Sequence, residues 1–169
     1  MGKQLFVVII FVLTVSMASA QKSTEVPNLK DLITWSGMSY AEFQAEMLKF
    51  RFNFEEEKKD FWTKLTSYIY LRETLQEGSV VTEKIVFKST GEGKSSIEVF
   101  FLKDIYSLYS TQLSADNFQP TACKAEVGEN NKQSCYSNDR YFLTISKSIL
   151  PAENGKSRIS YSALIYQKK

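Results

Sequence analysis

The chain of 169 residues contains no histidine. That absence excludes Ser-His-Asp and Cys-His activation of a nucleophile and any histidine-based zinc site. It also removes the side chain that ordinarily changes charge near neutral pH. What survives is the chemistry of carboxylate pairs, of lysine or tyrosine, and of hard cations held by carboxylates. Cysteine is almost as scarce, with only Cys123 and Cys135. Their spacing matches neither a C-x-x-C redox motif nor a zinc ribbon, and outside the cytoplasm a lone pair of thiols is expected to form one disulfide. No N-x-[ST] glycosylation acceptor is present, and no cysteine follows the apolar N-terminal run as a lipoprotein signal would require. The missing cysteine excludes a bacterial lipoprotein signal, while the missing acceptor and the single cysteine pair lean towards a bacterial periplasm or exterior. A net charge of only +2, with both signs interspersed, argues against a nucleic-acid partner held by a broad phosphate-neutralising surface.

What is present begins with an address. Lys3 precedes an apolar run from Leu5 to about Met17, and Ala18-Ser19-Ala20 follows as a small-residue cleavage site. This is the layout of a secretory signal peptide. The run is short for a membrane span of roughly 20 residues, so no span is expected in the mature chain. The sequence therefore divides into a signal peptide over 1–20, a polar leader over 21–27 and a single domain over 28–169, exported to the periplasm or the exterior. A hydrophobic content of 43% and an aromatic content of 14% suit a packed globule.

Helix signals come first in the domain. Asn28 is placed to cap a short helix, Asp31 suits its positive end, and Gly37 reads as a left-handed stop. Ser39 and Glu42 form an S-x-x-E capping box, with Phe43, Met47 and Phe50 at helical spacing behind it. This helix is expected to end near Lys49, with extended chain after it. From Phe61 the pattern alternates. Strands are expected over Phe61–Arg72, Val80–Thr90, Ser95–Lys103, Thr121–Val127, Arg140–Leu150 and Arg158–Lys168, with turns at Gly91-Glu92-Gly93-Lys94 and Asn154-Gly155. Asp104 caps a further helix carrying Ile105, Leu108, Tyr109 and Leu113 on one face. The order implies an α+β fold: an antiparallel sheet of about six strands with two main helices packed on one face, in the order of a diverged αβββ duplication.

No residues form a recognisable catalytic signature, and no cofactor is implied. Gly91-Glu92-Gly93-Lys94 lacks the spacing of a phosphate loop. Glu55-Glu56-Glu57-Lys58-Lys59-Asp60 lacks the spaced pattern of a calcium loop and reads as a solvated connection. The best candidate surface is one side of the first long strand. There Trp62, Lys64, Thr66, Tyr68, Tyr70 and Arg72 fall together by period-two spacing, and aromatic rings flanked by cations suit a protein, peptide or glycan partner. The expected function is that of a small exported, non-enzymatic binding protein. Two other classes stay open: a hydrolase using Glu83 and Glu98 as paired carboxylates, and a carrier with an apolar cavity between sheet and helix.

Overall fold

The computed structural model describes residues 26–76, 78–90, 95–123, 131–150 and 158–168. The expected signal peptide, most of the leader, the turns expected at Gly91-Glu92-Gly93-Lys94 and Asn154-Gly155, and the last four residues of the strand expected over Thr121–Val127 lie outside them. Among the described residues three helices and eight strands follow in the order α1 (Leu29–Ser36), α2 (Tyr40–Lys49), β1 (Asn53–Lys59), β2 (Thr66–Gln76), β3 (Ser79–Ser89), β4 (Ser95–Phe101), α3 (Ile105–Ser110), β5 (Gln119–Thr121), β6 (Asn131–Ser137), β7 (Tyr141–Leu150) and β8 (Arg158–Gln167). All eight strands form one antiparallel sheet in the order β1-β2-β3-β4-β8-β7-β6-β5. It consists of two four-stranded meanders joined through their last strands, with Val99 of β4 opposite Ala163 of β8.

This corrects the expected six-stranded α+β layer and its αβββ unit. The molecule is mostly sheet, and each half carries four strands. The missed strands are polar ones. β1 is the charge run Asn53–Lys59, exposed along nearly its whole length, so it shows no apolar alternation. Two of its three carboxylates are paired along the strand, Glu56 with Lys58 at 2.7 Å and Glu57 with Lys59 at 2.8 Å. β6 is Asn131–Ser137, where only Cys135 is buried.

Capping sets the helix limits. At α1, the Asn28 amide donates to Asp31 and the Asp31 amide donates back to Asn28, at 2.8 and 3.0 Å. At α2, Ser39 and Glu42 make the same reciprocal pair. The hydrogen bonds from the Ser39 hydroxyl and amide hold the Glu42 carboxyl below its ordinary range. The end of α2 is a Schellman motif without glycine. Arg51 takes the left-handed conformation at φ 58°, the Arg51 amide donates to the Leu48 carbonyl at 3.1 Å, and the Phe52 amide donates to Met47 at 2.9 Å. Both Phe52 and Met47 are fully buried, which supplies the apolar contact that favours this stop. Gly37, by contrast, caps α1 at φ −99°; the left-handed stop expected there is not formed.

The helices cover one sheet face. Leu29, Leu32 and Trp35 of α1 and Phe43 and Met47 of α2 pack with Tyr70, Ile85, Phe87, Ile97, Val99, Ala163 and Ile165 from the strands. Tyr109 of α3 is buried and donates to the Pro27 carbonyl at 2.9 Å, while the Leu29 amide donates to Gln112 at 2.7 Å. These two bonds tie the start of the domain to its middle.

Candidate functional site

The strand face singled out from sequence does not form one surface. β2 begins only at Thr66; Trp62 lies in a turn before it, and Lys64 stands at φ 57° in the left-handed region. Beyond that point the side carrying Tyr68, Tyr70 and Arg72 faces the helices. Tyr68 stacks on Tyr40 of α2 with ring centroids 3.7 Å apart, and Tyr70 is buried edge-on against Phe43. The Tyr70 hydroxyl donates to Tyr40 at 3.1 Å, and desolvation, followed by that bond, pushes its pKa well above the usual phenol value.

Arg72 is buried too. Its Nε donates to Glu83 Oε2 at 2.8 Å and its Nη1 donates to the Phe50 carbonyl at 2.8 Å. The guanidinium lies 4.4 Å from the centroid of the Phe52 ring. The aliphatic side Leu65, Ile69 and Leu71 is therefore the one turned from the helices. Hydropathy alone assigns the faces the other way round. It could not foresee that α2 supplies aromatic partners for the tyrosines and that β3 supplies the countercharge for Arg72.

The same pairing settles the proposed carboxylate couple. Glu83 is only 2% exposed and is spent on Arg72. Glu98 alternates with the buried Ile97 and Val99 on β4, pairs in register with Val86 rather than with a neighbour of Glu83, and bonds Lys88 at 2.6 Å. The two carboxylates sit on opposite faces of the sheet and cannot converge on one bond. Among the described residues no group of three or more acidic or cysteine side chains is placed to hold a metal ion.

Two features remain as sites. The first is the tip of the β1–β2 hairpin, where Phe61 is 73% and Trp62 88% exposed. The tip is built and fixed by local bonds. The Asp60 amide donates to the Leu65 carbonyl at 2.9 Å, and Asp60 Oδ1 accepts from the Trp62 and Thr63 amides at 2.8 and 2.9 Å. Those amide bonds, chiefly that from Thr63, hold the Asp60 carboxyl below its ordinary range. The Phe61 and Trp62 rings meet edge-on with centroids 5.6 Å apart, and Lys64 Nζ lies 4.3 Å from the Phe61 centroid. Of the residues expected to bind, Trp62 and Lys64 thus lie together in the tip, while Tyr68, Tyr70 and Arg72 belong to the core. Phe61 was missed, although its position beside Trp62 and after an Asx-type residue was the available signal.

The second feature is a groove on the helix-free face, of about 690 Å3, lined among others by Leu65, Lys88, Ser96, Thr121, Phe142 and Tyr166. A smaller hollow of about 230 Å3 adjoins it and shares Phe142 and Tyr166. The disulfide borders this face: Cys123 and Cys135 are bonded with Cα atoms 5.3 Å apart, and Cys135 stands opposite Thr121 in the β5–β6 register. The bond expected from sequence thus forms. No helix among the described residues is long and apolar enough to cross a membrane. Comparison with family models, with curated proteins and with solved structures found no match.

Proposed function

We propose that this chain is a small exported binding protein without catalytic activity, and that it holds its partner through the Phe61–Trp62 tip. The exported address rests on the Lys3 to Ala20 layout and is supported by the disulfide, since such bonds persist in oxidising compartments. The observation that carries the binding role is the exposure of Phe61 and Trp62 on a turn already fixed by Asp60. Large exposed aromatics do nothing for the stability of an isolated fold. In an interface they are the side chains that most often dominate the binding energy. Holding them in one geometry beforehand lowers the ordering cost of association. The partner that fits is a protein or peptide with an apolar pocket wide enough for two edge-on rings.

The test is co-purification from the exported fraction with tagged full-length chain, quantified for wild type, Phe61→Ala and Trp62→Ala. Loss of an anchor worth about 2 kcal/mol lowers affinity roughly thirtyfold, and recovery should fall with it. Equal recovery by all three proteins would sink the tip as the site. N-terminal sequencing of the same material should begin at Gln21.

A further inference from the structure

We infer that the groove on the helix-free face of the sheet is a binding site for a neutral oligosaccharide, separate from the hairpin tip. Three properties of the groove point to that chemistry.

The first is its charge. Both lysines of the lining are already engaged: Lys88 bonds Glu98 at 2.6 Å, and Lys168 Nζ donates to the Asn138 carbonyl. A phosphate, sulfate or acidic peptide would find no uncommitted cation here. The Lys88–Glu98 pair does offer a donor and an acceptor side by side, which is what a sugar hydroxyl needs, because it both gives and takes a hydrogen bond.

The second is the hydroxyl content of the walls. Ser96, Thr121 and Ser137 line the groove, and their positions on the register place them across β4, β5 and β6. In the same wall the Thr90 hydroxyl is screened from solvent and has no hydrogen-bond partner among the described residues.

The third is the placing of the aromatic pair. Phe142 and Tyr166 stack with centroids 5.3 Å apart and an interplanar angle of 27°. They belong to the lining of both the larger and the smaller hollow. The groove is thus two compartments in which hydroxyls are set among apolar surface, with an aromatic divide between them. A pyranose presents a C–H face to an aromatic ring and hydroxyls around its rim. A chain of such units can rest on the divide while sugars to either side reach the hydroxyls of each compartment. A lipid would leave these hydroxyls unpaired, and a nucleic acid would need the cations that are spent.

The experiment is titration calorimetry of the mature chain with cellohexaose, chitohexaose and maltohexaose, alongside a heparin hexasaccharide as the anionic probe. Binding of at least one neutral probe with a Kd of about 1 mM or below is expected. Tyr166→Ala should weaken it about tenfold, while Trp62→Ala leaves it unchanged. Ser137→Trp, which places bulk in the larger compartment without removing a core side chain, should abolish it, and provides the answer if Tyr166→Ala fails to fold. No heat with any neutral probe, tighter binding of the heparin fragment, or undiminished affinity after Ser137→Trp would each overturn the inference. Because Trp62→Ala separates the two sites, failure of the groove leaves the tip untouched, and the reverse.

Discussion

Removing one member of the Arg72–Glu83 pair should unfold much of this protein, whereas removing both should not. Arg72 is 4% and Glu83 2% exposed, and Arg72 gives Glu83 Oε2 two hydrogen bonds. In Arg72→Met the carboxylate stays buried without its countercharge, which costs about 3–5 kcal/mol. The Phe50 carbonyl loses a donor as well, worth about 1 kcal/mol. Against a total stability of about 5–15 kcal/mol, a loss of about 4 kcal/mol lowers the melting temperature by roughly 10 °C or more. In Arg72→Met/Glu83→Leu no charge is left to desolvate, and the methionine and leucine can pack on Phe52. The double variant should therefore lie within about 1–2 kcal/mol of wild type.

Urea titration measures this, followed by tryptophan emission in a Trp62→Phe background. Trp35, 1% exposed, is then the sole tryptophan, and its emission reports the loss of the core. If either single variant costs under about 1 kcal/mol, or if the double variant costs the sum of the singles, the account of this pair is wrong.

Replacing both Cys123 and Cys135 by alanine should destabilise the protein by about 3 kcal/mol, from a loop closed over a sequence separation of 12; a urea midpoint unchanged from wild type would contradict it. Ser39→Ala should cost about 1 kcal/mol through loss of the α2 cap, read in the same titration. Trp62→Ala should leave the urea midpoint unchanged, since its ring is exposed, and any large shift would mean the ring packs where the structure shows it free. The tip should also loosen in acid. The folded-state pKa of Asp60 lies below its ordinary 3.8, so its contribution is complete above pH 4 and is lost as pH falls through the folded value. Protection of the Trp62 and Thr63 amides, taken relative to their intrinsic exchange rates at each pH, should fall over that window, and in Asp60→Asn this protection should lose its pH dependence.

How far the sequence was legible depended on whether local chemistry or a distant partner decided the outcome. The caps at Asn28, Ser39 and Asp104 act within three residues and form as read. The disulfide follows from there being only two cysteines. β1 was illegible because it is an edge strand: charge and a register shift between Phe54 and Glu56 are how an edge resists pairing with another chain, and they erase the alternation that marks a strand. β5 shares only Thr121 with the strand expected over Thr121–Val127, whose last four residues lie outside the described ones, and Pro120 within it suits a sheet edge. The second helix ends at Lys49 as read, although Arg51 rather than a glycine takes the left-handed turn beyond it, and the third stops at Ser110, short of the Leu113 that its apolar face was read to include. For the binding site, period-two spacing grouped Trp62 with Tyr70 and Arg72, but the strand starts four residues after Trp62. The grouping therefore joined a solvent-facing tip to a helix-covered face.

The sheet order has a consequence for how the chain acquires its shape. β8, the last element, lies between β4 and β7, and its pairing of Ala163 with Val99 spans most of the second half of the sequence. The two meanders have no shared centre until the final ten or so residues exist. A contact so distant along the chain must await the loop closure that precedes it, which makes its formation slow. During synthesis the N-terminal half therefore emerges with β4 unpaired on one side, a strand edge open to the wrong neighbour. In a chain exported in extended form, as proposed above, this delay would keep the two meanders apart until the C-terminal strand had crossed, and the Cys123–Cys135 bond would close where thiols are oxidised.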